Sequence, residues 1–248
     1  MSFFEYLHSR RHLLLAQTLE HANIVVMSVA LATVIGVLIG IATYRSPRAR
    51  GMAMATAAAI LTIPSFALLG LLITPFGLGY VPAMVALTLY ALLPIIRNTV
   101  VGLSEVDPAL TEAARGIGMG RLRSLATVEL PLAWPVILAG IRVSTQMTMG
   151  IAAIAAYVGG PGLGNQIFSG LANLGGVNSL NMALVGTVGV IVLAVVLDLI
   201  LGLLGVLTRA GRRPRLAWPG RDRRLTPAGA LAGAPPATAT SPTTGGER

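Results

Sequence analysis

The chain has 248 residues, of which 54% are hydrophobic and only 11% charged, with a mean hydropathy of +0.78. A soluble domain needs a charged, solvated surface that this composition does not supply, so a bilayer is its natural solvent. Cysteine is absent, which excludes disulfides, thiolate nucleophiles and Cys-based metal sites, and the net charge of +9 comes from a basic set that is arginine throughout. The arginines stand beside apolar runs, so the positive-inside rule accounts for the basic balance without nucleic acid.

Residues 1–21 form an N-terminal segment in which Phe3, Phe4, Leu7, Leu14 and Leu15 let 3–20 lie at the interface as an amphipathic helix. It is a poor secretory signal: Arg10 and Arg11 precede only a short apolar run, and no small-residue cleavage site follows. His8 and His12 have the i,i+4 spacing of a metal pair. No third ligand accompanies them, so with His21 they are read as interfacial polar residues, and no metal site is assigned.

A bilayer core takes about 20 apolar helical residues. Five segments qualify, over about 22–43, 51–73, 80–102, 132–157 and 180–207. Pro64, Pro82 and Pro94 fall in the second and third, which membrane helices tolerate where neighbours satisfy the freed backbone groups. Arg45, Arg48 and Arg50 follow the first span. Arg115, Arg121 and Arg123 follow the third, with Arg97 nearby, and seven arginines lie between Arg209 and Arg224. The stretches 74–79 and 158–179 carry no charge. This contrast places the first loop, the insert over 105–131 and the tail over 208–248 in the cytosol, with Arg10 and Arg11 on the unfavoured side. From Leu225 the tail is rich in Pro, Ala, Gly and Thr and is expected to be disordered.

The insert is a polar, charged interruption of an apolar chain. Asp107 can cap a helix whose first residue is Pro108. The spacing predicts a short helix over 109–117, a break at Gly116, Gly118 and Gly120, and a second short helix over about 119–128, after which Leu130-Pro131 ends the insert and starts the fourth span. A Cβ and added bulk at Gly118 should disturb that hinge. Spacing alone leaves open both a solvated loop and a docking element.

Within the insert, Glu112-Ala113-Ala114, then Gly118, then Val128, Leu130 and Pro131 stand at the spacing of a known motif. In it, Glu-Ala-Ala is followed after three residues by Gly and after nine more by an aliphatic residue, any residue and Leu-Pro. This resembles the signature of permease subunits of binding-protein-dependent ABC importers; the one departure is Val128, where Ile is usual. Leu93–Thr99, Val106-Asp107-Pro108, Ala139–Arg142 and Gly159–Gly164 extend the likeness to the osmoprotectant group, whose substrates are glycine betaine, choline, carnitine and relatives. The specific resemblance covers about 90–172, and the span layout about 22–207.

The resemblance implies an all-α membrane protein with a five-helix permease core and a cytosolic coupling helix between helices 3 and 4. Glu112, Ala113, Ala114, Gly118, Val128, Leu130 and Pro131 would then dock on a cytosolic ATPase subunit, which alone uses ATP and Mg. An external binding protein would deliver substrate, and a second permease, itself or a paralogue, would complete the unit in a bacterial-type inner membrane. Coupling of this kind is a reciprocal free energy: loaded binding protein should stimulate ATP hydrolysis.

Arg142 and Asp198 are the ionisable residues inside spans, and a charge there is functional by default. Arg142 could snorkel, or the two could pair and neutralise each other; a structural or gating role is preferred to substrate contact. Gly36, Gly40, Ala32, the run 53–59, Gly186, Gly189, Gly202 and Gly205 offer small faces for packing. Aromatic residues make up 5% of the chain and show no cluster in sequence, so a cage for a quaternary ammonium belongs with the binding protein. The uncharged stretch over 159–176 suits a gate, a docking surface or a flexible loop.

A membrane enzyme would need paired carboxylates or a Ser/His set within spans, and Asp198 is the single carboxylate there. The chain has neither lysine nor a phosphate-binding Gly-Lys-Ser/Thr loop, so it is not itself the ATPase. An ATP-independent channel is disfavoured by the docking motif. Amino acids or ergothioneine-like zwitterions stay open as substrates.

Overall fold

The structure, a computed structural model, describes residues 2–210. The tail from residue 211 onward, including the segment expected to be disordered, lies outside the described residues. Helix α1 (Phe3–Ser9) opens on a reciprocal cap in which Ser2 Oγ accepts from Glu5 N–H and Glu5 Oε2 accepts from Ser2 N–H. After Arg10, α2 (Arg11–Thr43) runs unbroken for 33 residues. The amphipathic helix expected over 3–20 is therefore short α1 plus the first turns of α2. No Pro or Gly interrupts the sequence before Gly36, so nothing stops the helix at residue 22.

The second expected span is broken. Helices α3 (Pro47–Thr62) and α4 (Ser65–Phe76) meet at a 95° bend. Pro64 is the cause: a residue before proline is pushed out of the α region, and Ile63 lies at φ −69°, ψ 126°. The Ile63 carbonyl, left without a helical partner, accepts the Tyr90 hydroxyl at 2.5 Å. Proline inside α5 (Tyr80–Ser104) does not break it, as expected. Among the described residues, four helices are long and apolar enough to cross a bilayer, or five if the bent pair counts as one span.

Helix α6 (Pro108–Gly116) forms the first half of the insert. Helix α7 (Arg121–Ser124) then passes through a π-helical turn at Leu125–Glu129 into α8 (Leu130–Ala155). The second short helix expected over 119–128 is thus the foot of a long one. Helix α8 starts at Leu130-Pro131, and the wider π turn, with Leu130 N–H donating to the Leu125 carbonyl five residues back, joins it to α7 without a break. A 3₁₀ turn (Ala156–Val158), α9 (Gly164–Ala172) and α10 (Ser179–Ala210) complete the described chain.

Helix α5 lies at the centre, flanked by α2 and α8. Small residues set these close approaches. A Cβ on Gly40 would come 2.5 Å from Thr99 Cγ2, one on Gly36 2.8 Å from Ile95 Cγ2, and one on Gly140 2.8 Å from the Pro94 carbonyl oxygen. Helix α10 is the reverse case: its most apolar stretch is only 6% buried, which suits a helix solvated by lipid.

The uncharged stretch over 159–176 is not a flexible loop throughout. Its glycines let α9 press against its neighbours: a Cβ on Gly164 would fall 2.1 Å from the Ala153 carbonyl oxygen, and one on Gly170 2.6 Å from that of Ser179. Gly162, at φ +114°, lies against His21. His21 is fully buried, not interfacial, with Nε2 donating to the Met149 carbonyl at 3.2 Å. Tyr6 is buried too. Its hydroxyl donates to Gln166 Oε1, and Gln166 donates in turn to Gln17.

Candidate functional site

The insert stands at the end of the bundle where α2 and α10 finish and α8 begins; Trp134 on α8 donates to Thr208 near the end of α10. Asp107 Oδ1 accepts from Ala109 N–H at 2.9 Å, with Pro108 in the first turn, so α6 starts as its sequence dictates. It ends at Gly118, φ +82°, where Gly118 N–H donates to Arg115 and Met119 N–H to Ala114 five residues back. That pair of bonds around a left-handed glycine is a Schellman close. A Cβ on Gly118 would meet no atom within 4 Å, so a larger residue there would act on the hinge through its left-handed backbone and not through bulk against neighbours.

The motif residues divide by face. Ala114 is buried, whereas Glu112 and Ala113 are exposed; Val128, Leu130 and Pro131 are half-buried at the foot of α8. Ile117 and Leu122 beside them are 76% and 83% exposed, and Leu110 is exposed as well. Large apolar side chains thus stand exposed beside charged ones on this element.

Sequence reasoning missed Glu129, which occupies the motif's unspecified position. It is buried, and its Oε2 accepts the Tyr44 hydroxyl at 2.6 Å. Its Oε1 accepts from Arg45 Nη2 at 3.2 Å and from Ser124 Oγ at 3.3 Å. Burial, with the adjoining carboxylate, pushes the Tyr44 hydroxyl up to about 12, so it stays a donor at any ordinary pH. A cavity of about 300 Å³ adjoins this cluster, lined also by Pro108, Thr111 and Arg115. The signal was present: Glu129 is the only carboxylate between Glu112 and Asp198.

Arg142 does not snorkel. It forks onto Asp198 across α8 and α10, with Nε to Oδ1 at 2.9 Å and Nη2 to Oδ2 at 2.6 Å. Gln146 Nε2 adds a third bond to Oδ1 at 3.0 Å. The Arg142 side chain is 41% exposed and that of Asp198 24%. Gly202 lies beside the fork, where a Cβ would be in ordinary contact at 3.7 Å from Arg142 Nη2.

At the opposite end, three rings scattered in sequence come together. Phe66 and Tyr157 meet edge-to-face at 5.2 Å between centroids, and Tyr157 and Phe168 at 5.5 Å. Phe66 and Tyr157 are exposed. Among the described residues no group of His and carboxylate side chains is arranged to hold a metal ion.

A helical bundle with several bilayer-length helices, a tight small-residue core and one polar insert is the build of a membrane transport subunit. Residues 32–209 match the model of the binding-protein-dependent transport system inner membrane component. The osmoprotectant import permease OsmW of Salmonella typhimurium is 39% identical over 219 residues, covering 86% of this chain and 100% of that one. The choline transport system permease OpuBB of Bacillus subtilis is 39% identical over 216 residues, covering 87% and 90%. A chain of the inward-facing MetNI methionine ABC transporter superposes with a TM-score of 0.67 at 25% identity, covering 83% of this chain and 99% of that one. The chain therefore belongs to the family of binding-protein-dependent transport system inner membrane components. It is a multi-pass permease subunit of an ABC transporter, not an enzyme.

Proposed function

We propose that this permease forms the membrane path of an ATP-driven importer for small quaternary-ammonium or zwitterionic osmolytes. Its insert over 105–131 would dock in the cytosol on a separate ATPase that binds ATP and Mg. The observation that carries the docking role is the exposure of Leu110, Ile117 and Leu122 beside Glu112 and Ala113. Orientation rests on charge: Arg45, Arg48, Arg50, Arg115, Arg121 and Arg123 stand in the first loop and the insert, while 77–79 and 158–179 are uncharged. The tail would share the cytosolic side. An external binding protein would deliver substrate, and a second permease, identical or paralogous, would complete the path. The Arg142–Asp198 fork would hold α8 to α10 within the membrane and gate their separation.

The substrate class is supported by the relatives, which are named for osmoprotectants and choline. Phe66, Tyr157 and Phe168 add ring faces at the outer end, and such faces attract methylated ammonium groups. Methionine is the second reading, favoured by the MetNI likeness. The test is uptake of labelled choline, glycine betaine, carnitine and methionine into proteoliposomes holding the permease, its ATPase and its binding protein. Accumulation of the first three only with ATP is expected. Uptake that ignores ATP would sink the importer reading, and uptake of methionine alone would replace the substrate.

A further inference from the structure

Three paths lead from the insert into the bundle. Two are covalent: residues 105–107 join α6 to α5, and α7, the π turn and α8 are continuous, so a displacement of the insert passes into both helices. The third is not. The corner between α2 and α3, at Tyr44–Ser46, lies far from the insert in sequence and meets it through Glu129. We propose that Glu129 is a positioning residue that ties this corner to the insert, so that a push from the ATPase moves α2 and α3 together with α8. This inference rests on the docking role proposed above.

The geometry fits a tie and not incidental surface contact. The Glu129 side chain is 4% exposed, while Arg45 beside it is 44% exposed, so the carboxylate is enclosed and its partners reach in. Tyr44 and Arg45 come from one side of the contact and Ser124 from the foot of α8 itself. Bonds to an ionised carboxylate are stronger than neutral ones, and an enclosed carboxylate that loses its donors carries a large penalty, which makes the contact resist separation. The π turn contributes to the placement. Residues seven apart on a plain α-helix share a face, yet Leu122 is 83% exposed and Glu129 buried. The π turn between them breaks that register, letting one element show an apolar residue to a partner and a carboxylate to the bundle.

The absence of native cysteine allows a direct test. Spin labels on Arg48→Cys at the start of α3 and Arg115→Cys on α6 report whether the corner follows the insert; both side chains are exposed. In the reconstituted complex, the label separation should be the same without nucleotide and with ATP trapped. With Glu129→Gln added, it should shift or broaden on ATP binding. Substrate imported per ATP hydrolysed should fall roughly tenfold, while the ATPase still co-purifies. Tyr44→Phe should act in the same direction and more weakly, and adding it to Glu129→Gln should cost little more, because both remove one contact. If Glu129→Gln does not fold, Tyr44→Phe alone carries the measurement. An unchanged separation and an unchanged import ratio in these variants overturn the tie while wild type still transports. Losses that add fully and merely follow the melting temperature overturn it too, as they would mark a structural residue only. A wild-type complex without ATP-driven uptake overturns the importer reading, and the tie with it.

Discussion

Glu129 and Asp198 are both carboxylates answered by an arginine, and their surroundings are opposite. Glu129 stands at the end of the bundle, enclosed by protein, with donors from a tyrosine, an arginine and a serine. Asp198 stands within a span, partly exposed on α10, with Arg142 and Gln146 as its donors. In a membrane protein, exposure does not mean water, so the more exposed carboxylate depends more on its arginine. Glu129 can lose Arg45 and keep two hydroxyl donors near an aqueous face; Asp198 without Arg142 is an anion facing an apolar layer.

The sharpest way to break this comparison is Arg142→Leu set against Arg45→Leu. Arg142→Leu should reduce folded protein in the membrane, and uptake, to less than about a tenth of wild type. Adding Asp198→Leu should restore insertion, because replacing both charges by apolar groups removes the penalty. Arg45→Leu should leave insertion near normal. Equal damage from the two single changes, measured as membrane-inserted protein, would end the distinction.

Gly118→Leu comes next. Left-handed backbone costs a side chain about 1–2 kcal/mol, and no neighbouring atom adds to that. The variant should insert normally but lose most of the ATPase stimulation by loaded binding protein, and Gly118→Asn should recover part of it. Normal transport by Gly118→Leu would show that the insert needs no such turn. Glu112→Lys should weaken co-purification of the ATPase by roughly tenfold in affinity, about 1.4 kcal/mol. Unchanged co-purification would remove Glu112 from the docking surface.

The last test concerns Tyr44→Phe and melting temperature. Losing one hydrogen bond to a charged acceptor should cost about 1.5 kcal/mol. The Tyr44 hydroxyl is raised to about 12, above its ordinary value of 10.0. Its contribution is therefore complete below the ordinary value and lost as pH rises through the raised one. The difference between Tyr44→Phe and wild type should be flat from about pH 6 to about pH 9. The difference should then shrink between about pH 10 and about pH 12, and one that stayed flat there would show the hydroxyl ionising normally and contradict its enclosure.

Much of the insert was legible because local chemistry wrote it. Asp107-Pro108 starts a helix and Gly118 closes it, and both act through the backbone of a few neighbouring residues. The long apolar runs likewise announced long helices, although α2 starts eleven residues before the expected 22 and the second run breaks at Pro64. There the rule for the residue before proline was available, but tolerance of proline in membrane helices outweighed it, correctly for Pro82 and Pro94 and wrongly for Ile63-Pro64. What the sequence hid was pairing between distant elements. Glu129 looks like filler between Val128 and Leu130 until Tyr44 and Arg45 are brought beside it. His21 read as a surface polar residue because nothing local reveals Met149 and Gly162 closing over it. The rings of Phe66, Tyr157 and Phe168 meet only through tertiary packing.

The helical run Arg121–Val158 has 38 residues, roughly 57 Å at helical rise. One end carries Leu122 and the other Tyr157, which is the geometry of a lever. A tilt of only about 5° about one end would sweep the other through about 5 Å, comparable to one helical turn. An ATPase that closed by a few degrees would then need no relay of small rearrangements to be felt at the far side of the membrane.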